Sequence, residues 1–136
     1  MKKLFLTLLF ALLSSSVFAI NPQDSLDMKN TVESHIVALQ EQNWETAYAL
    51  LDQNIKDQEG GVMGFRTFIT DNFDIFLQIV SYEILEPYVA DQGYLIVPTK
   101  LSTTEGEVVI AAFFLQYDKG WKIASCVLIP TISKSL

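Results

Sequence analysis

The sequence predicts an α+β fold: three N-terminal helices followed by a curved four-stranded antiparallel meander. Three observations lead there. Up to about Phe76 the apolar residues recur at helical spacing. Beyond about Gln78 the chain becomes rich in Val, Ile, Tyr and Phe, as strands are. Three glycines, Gly93, Gly106 and Gly120, then close polar turn signals at regular intervals, where hairpin loops need a residue that accepts positive φ.

The elements follow in order. Asn21-Pro22-Gln23-Asp24 is an entry segment in which Asp24 or Ser25 can cap a helix. From Ser25 to Gln42, Met28, Val32, Ile36 and Leu39 form one apolar stripe. Asn43 interrupts it. Trp44, Ala47, Tyr48, Leu51 and Ile55 form a second, which predicts a helix from Trp44 to about Lys56. Asp57 to Gly61 is a loop. Phe65, Phe68 and Ile69, extended by Phe73 and Phe76, form a third stripe.

Four strands are predicted at about Val80 to Val89, Tyr94 to Ser102, Glu107 to Tyr117 and Trp121 to Pro130. Short turns make each strand the neighbour of the next. Pro87 and Pro98 cannot donate to a ladder, so they mark an edge or a bulge, and the sheet bends.

Residues 1–19 read as a signal peptide and residues 20–136 as one domain. Lys2 and Lys3 precede the apolar run Leu4 to Leu13, and Val17-Phe18-Ala19 offers a cleavage site before Ile20. The run is shorter than the ~20 residues a membrane span needs, and no cysteine stands at the cleavage point for a lipid. The expected location is therefore the periplasm or the medium, without a stable membrane anchor after cleavage. Cleavage removes Lys2 and Lys3 and takes the net charge from −7 to −9. That acidity argues against nucleic acid, which calls for a basic footprint. Cys126 is the single cysteine, so no internal disulfide forms; its mid-strand apolar surroundings favour a buried, inert thiol.

The order of elements, with "NWETAYALL" (Asn43 to Leu51) on the second helix and "GWKI" (Gly120 to Ile123) opening the last strand, resembles the nuclear transport factor 2-like, or ketosteroid isomerase-like, superfamily. Within it the chain looks most like exported bacterial domains of unknown function. The resemblance covers nearly all of residues 20–136. It implies a cone-shaped domain in which helices close over a strongly curved sheet and leave a pocket. It also implies that the outer sheet face pairs with a second copy.

That pairing would account for a feature of the last two strands. Val109, Ala111, Phe113, Leu115 and Tyr117 face one way, and Val108, Ile110, Ala112 and Phe114 the other. On the last strand Trp121, Ile123, Val127 and Ile129 are expected opposite Ala124, Cys126 and Leu128. Both faces are apolar, so one needs a cover: a homodimer partner, or the terminal segments such as Thr131 to Leu136.

No motif for catalysis stands out. His35, the single histidine, lies on the flank of the first stripe, either as a boundary residue or as a pocket acid or base. One His and one Cys fall short of a zinc site, and no phosphate or dinucleotide loop is present, so no cofactor is expected. Asp57 and Glu59 flank the double glycine. Glu83 and Glu86 are further acid or base candidates on the first strand, with Tyr82, Tyr88 or Tyr94 near them. Trp44, Tyr48, Phe65, Phe68, Tyr94, Phe113 and Trp121 are the candidate lining of an apolar pocket. The first expectation is a non-catalytic module that binds a small apolar ligand or a protein partner. The alternative is a cofactor-free isomerase, dehydratase or cyclase working by proton transfer. A cone filled solid by its own side chains would instead point to a structural or interaction protein.

Overall fold

The computed structural model describes residues 20–131. The signal-peptide reading and residues 132–136 lie outside them. The chain is α+β, with helices against one face of an antiparallel sheet.

Helix α1 spans Pro22–Gln40. Proline at its first turn has no N–H to leave orphaned, and the Asn21 side chain accepts from the Asp24 N–H at 2.7 Å. The stripe is buried as its spacing predicts: Met28, Val32, Ile36 and Leu39 are fully covered, and His35 is 4% exposed. Helix α2 is only Trp44–Ala49, capped by Asn43.

The predicted helix from Trp44 to Lys56 is in fact two helices. Asp52 caps a separate helix α3, Gln53–Glu59, by accepting from the Ile55 N–H at 2.9 Å. A short polar side chain that bonds the backbone ahead of it favours a new helix start over continuation. The freed backbone groups at the break pair with the last strand instead: Asp52 N–H donates to the Ile123 carbonyl and Ile123 N–H to that of Leu50, at 2.9 and 2.8 Å. Gly60 and Gly61, both at positive φ, turn the chain into α4, Val62–Asn72. A 3-10 turn, Asp74–Leu77, follows and buries Phe76. The described residues thus hold four α-helices and this turn where three helices were expected.

The sheet has five strands: β1 Ile79–Ile84, β2 Tyr88–Val89, β3 Leu95–Thr103, β4 Val108–Tyr117 and β5 Trp121–Pro130. The order is β1-β3-β4-β5, with β2 also pairing β3. The fifth strand arises because the predicted first one is split at Leu85-Glu86-Pro87, where proline has no N–H for the ladder. Glu86 therefore sits in this link rather than on a strand.

Two bulges bend the ladder. The second has the greater consequence. Phe114 pairs with Ser125 and Leu115 with Ile123, so Ala124 is an extra residue on β5. Beyond it the alternation reverses. Cys126 pairs with Phe113 and Leu128 with Ala111, on the core side with Ile123. Val127 and Ile129 are about half exposed on the other side. The expectation that grouped Val127 and Ile129 with Ile123 is corrected by this one residue, because strand faces alternate with period two.

The core lies between α1 and the inner sheet face, with Phe113, Leu101, Val97 and Ile123 meeting Met28, Ile36 and Leu39.

Candidate functional site

Between the inner end of the sheet and the short helices lies a cavity of about 220 Å3. Each element delivers part of its wall. The break before α3 contributes Leu51, and α3 adds Ile55, Gln58 and Glu59. Helix α4 presents Phe65, Phe68 and Ile69 one turn apart, and Phe73 follows at its end. Strand β5 adds Ile123, Ser125 and Cys126, the last placed there by the Ala124 bulge. His35 reaches the same wall from α1.

The imidazole is the polar group at the centre of an aromatic cluster. Its ring centroid is 6.3 Å from Phe65 and 6.1 Å from Phe113, the latter edge-on. Phe65 in turn carries Trp44 and Tyr48 at 6.1 and 6.0 Å. His35 Nδ1 is buried without a hydrogen-bond partner. Desolvation lowers the pKa of His35 to about 4, against the weaker pull of a backbone hydrogen bond with Ala47. At neutral pH the ring is therefore uncharged, with one N–H and one acceptor nitrogen.

Burial shifts the other titratable wall groups as well. Desolvation pushes the Cys126 thiol up to about 12, which removes the thiolate a nucleophile requires. It also raises the Glu59 carboxyl above its ordinary value. No group of three or more His, Cys, Asp or Glu able to hold a metal occurs among the described residues.

Of the residues singled out from the sequence, the structure brings His35, Phe65 and Phe68 to the cavity, along with Glu59. Trp44 and Tyr48 back the wall through Phe65, and the Tyr48 hydroxyl donates to the Lys56 carbonyl at 3.1 Å. Phe113 lies in the core beneath the imidazole. Trp121 is half-buried with its ring edge against Tyr117, at 5.2 Å. Tyr94 is 53% exposed and meets Phe114, on the outer side of the sheet.

The carboxylates of β1 and its link stand elsewhere. Glu83 is exposed and faces Lys100 across the ladder. Glu86 pairs with Lys29 at 2.7 Å, and this hydrogen bond and charge lower its pKa. Tyr82 donates to Glu33 at 3.0 Å, and Tyr88 lies exposed on the outer face.

Sequence reasoning did not place Leu51, Ile55 or Cys126 at a site. Asp52 carried the signal for the first two, as a cap residue that breaks the helix and turns Leu51 toward β5. For Cys126 no signal precedes the bulge itself.

Larger concavities occur on the surface, one of about 530 Å3 beside Ile20, Pro87 to Asp91 and Gly93. It is lined by Ile20, the short strand β2 and the residues around it and holds no buried titratable group, so the smaller inner cavity is the chemically distinctive one. No helix of the described residues is long and apolar enough to cross a membrane.

No curated protein and no solved structure gives a significant match to the chain. A family model does match, over residues 21–136, so all the elements that build this cavity fall within it. The chain belongs to the family described as Domain of unknown function (DUF4864).

Proposed function

We propose that the protein is an exported, non-catalytic binding module whose inner cavity takes a small apolar ligand. The observation that carries the reading is the cavity itself. It is a 220 Å3 space walled mainly by Leu51, Ile55, Phe65, Phe68, Ile69 and Ile123, with one imidazole among them. Apolar concavities with a few placed polar groups are the usual form of a small-molecule site. Export is supported by the charge and hydropathy pattern of residues 1–19.

The fold reading that goes with it is a cone of the nuclear transport factor 2-like kind. It is supported by helices preceding a bulged, antiparallel sheet and by a cavity between the two layers. A second copy on the outer sheet face belongs to the same proposal. Tyr88, Tyr94, Val127 and Ile129 are each about half exposed there, beside Ile110 and Phe114.

The enzyme alternative is less well supported. A general base works best with a pKa near the operating pH, and His35 is depressed to about 4. Glu83 and Glu86 do not line the cavity.

Native mass spectrometry of protein purified from its own compartment tests the reading. The expected result is a mature chain beginning at Ile20, present as a dimer and carrying extra small-molecule mass. A bare monomer at micromolar concentration would remove both the ligand and the dimer from the proposal.

A further inference from the structure

We infer that the molecule held in the inner cavity is a neutral, ring-sized compound bearing a hydroxyl group, a phenol or a compact alcohol, and that the hydroxyl hydrogen-bonds to His35. The inference rests on the binding reading above and specifies its ligand.

Size gives the first bound. A dry cavity of ~150 Å3 takes benzene, so about 220 Å3 suits one ring with a short substituent. The wall gives the second. Leu51, Ile55, Phe65, Ile69 and Ile123 offer apolar contact and no directional bond. Among the polar residues of the wall, Gln58 and Ser125 are exposed and Glu59 is half-buried, whereas His35 is 4% exposed, with Nδ1 lacking a partner. Buried polar atoms are nearly always satisfied, and one left without a partner calls for an explanation. A ligand hydroxyl supplies what the imidazole lacks, at a place where the protein offers nothing.

Charge gives the third bound. A neutral imidazole provides no countercharge for a carboxylate or phosphate, and neither does the Glu59 carboxyl on the same wall. An anionic head group is therefore disfavoured. The tilted contact of His35 with Phe65 and the edge-on contact with Phe113 restrict its rotation and keep the polar nitrogen in a defined place.

Phenol and toluene are the probes, because they match in size and differ in the hydroxyl. The chain has one histidine, so a nitrogen-15 ring spectrum of the untagged protein reports His35 alone. Both probes are expected to shift the methyl signals of Ile55, Ile69 and Ile123, and only phenol to move an imidazole nitrogen. His35→Leu should then lower the affinity for phenol relative to toluene by roughly tenfold, the scale of one hydrogen bond. Glu59→Gln should leave that ratio unchanged.

Equal binding of both probes, with the ratio untouched by His35→Leu, would overturn the hydroxyl inference and leave the binding reading standing. A preference lost in Glu59→Gln instead would also overturn it. Silence of the isoleucine methyls toward both probes would remove the binding reading itself, and this inference with it. Should His35→Leu fail to fold, the ring spectrum of the unaltered protein decides alone.

Discussion

His35 couples the stability of the domain to pH. Its pKa in the folded chain is about 4 against 6.5 for an ordinary imidazole, so on acidification the unfolded chain takes up the proton first. The stability due to the neutral buried ring is fully present above about pH 6.5. It is lost progressively as pH falls toward 4 and changes no further below that. A difference of this size amounts to on the order of 3 kcal/mol. Denaturant unfolding at pH 7 and pH 4.5 should show the decline in the unaltered protein and a flatter response in His35→Leu. Glu59 works in the opposite direction, since a raised carboxyl pKa favours the folded state as pH falls, so Glu59→Gln should steepen the decline. A response in His35→Leu as steep as that of the unaltered protein would mean that the imidazole is not desolvated. Thr99 offers a second reading at this scale. Its hydroxyl is fully buried on the inner face of β3 with no partner. Thr99→Val keeps the shape and removes the orphaned group, and should raise stability by about 1 kcal/mol in the same measurement.

At the scale of elements, the joints between short helices are the vulnerable points. A Cβ at Gly64 would lie 1.9 Å from the Glu59 carbonyl oxygen, a backbone atom that cannot move without shifting α3 against α4. Gly64→Ala should therefore destabilise by about 1 to 3 kcal/mol, although alanine is the better helix former. Asp52→Ala should cost about 1 kcal/mol through the lost cap, and it should also loosen the cavity wall at Leu51 and Ile55. Thermal unfolding followed by circular dichroism measures both, and a neutral Gly64→Ala would mean that α3 and α4 are not in such close contact. The stripe of α1 was legible from Met28, Val32, Ile36 and Leu39 because one face of that helix is wholly buried. The turns at Gly93, Gly106 and Gly120 were legible for the same kind of local reason: each is at positive φ. The break at Asp52 was less so, since its hydrogen bonds run to Ile123, distant in sequence. The wall of the cavity suffered most. Phe65, Phe68 and His35 could be placed from spacing, whereas Cys126 depends on a bulge whose cause lies in cross-strand pairing.

At the scale of the whole molecule, the unresolved balance is on the outer sheet face. Val127 and Ile129 stand about half exposed on the edge strand, next to Ile110 and Ala112 of β4. If a second copy covers this face, Val127→Asp should convert a dimer to a monomer in light scattering, with the inner cavity intact. A monomeric unaltered protein at the same concentration would discard the dimer and leave the face to another cover. The Lys29–Glu86 pair, by contrast, links α1 to the segment between β1 and β2 with a largely exposed carboxylate. Glu86→Gln should change overall stability little, as exposed pairs generally do.

The additional residue at Ala124 makes β5 a matter of parity. Upstream of it, odd-numbered side chains such as Ile123 look inward; downstream, even-numbered ones such as Cys126 and Leu128 do. Removing Ala124 would therefore only straighten the ladder: Ser125 and Cys126 would follow Ile123 in register with Phe114 and Phe113, and every later side chain would keep its side. Removing one residue beyond the bulge, such as Val127, would instead turn Leu128 outward and drive Ile129 into the core. Removing two neighbouring residues there would shorten the strand yet keep its two faces in order. Beyond Cys126 the strand should tolerate changes of length by two far better than changes by one, whereas loss of Ala124 alone should be tolerated.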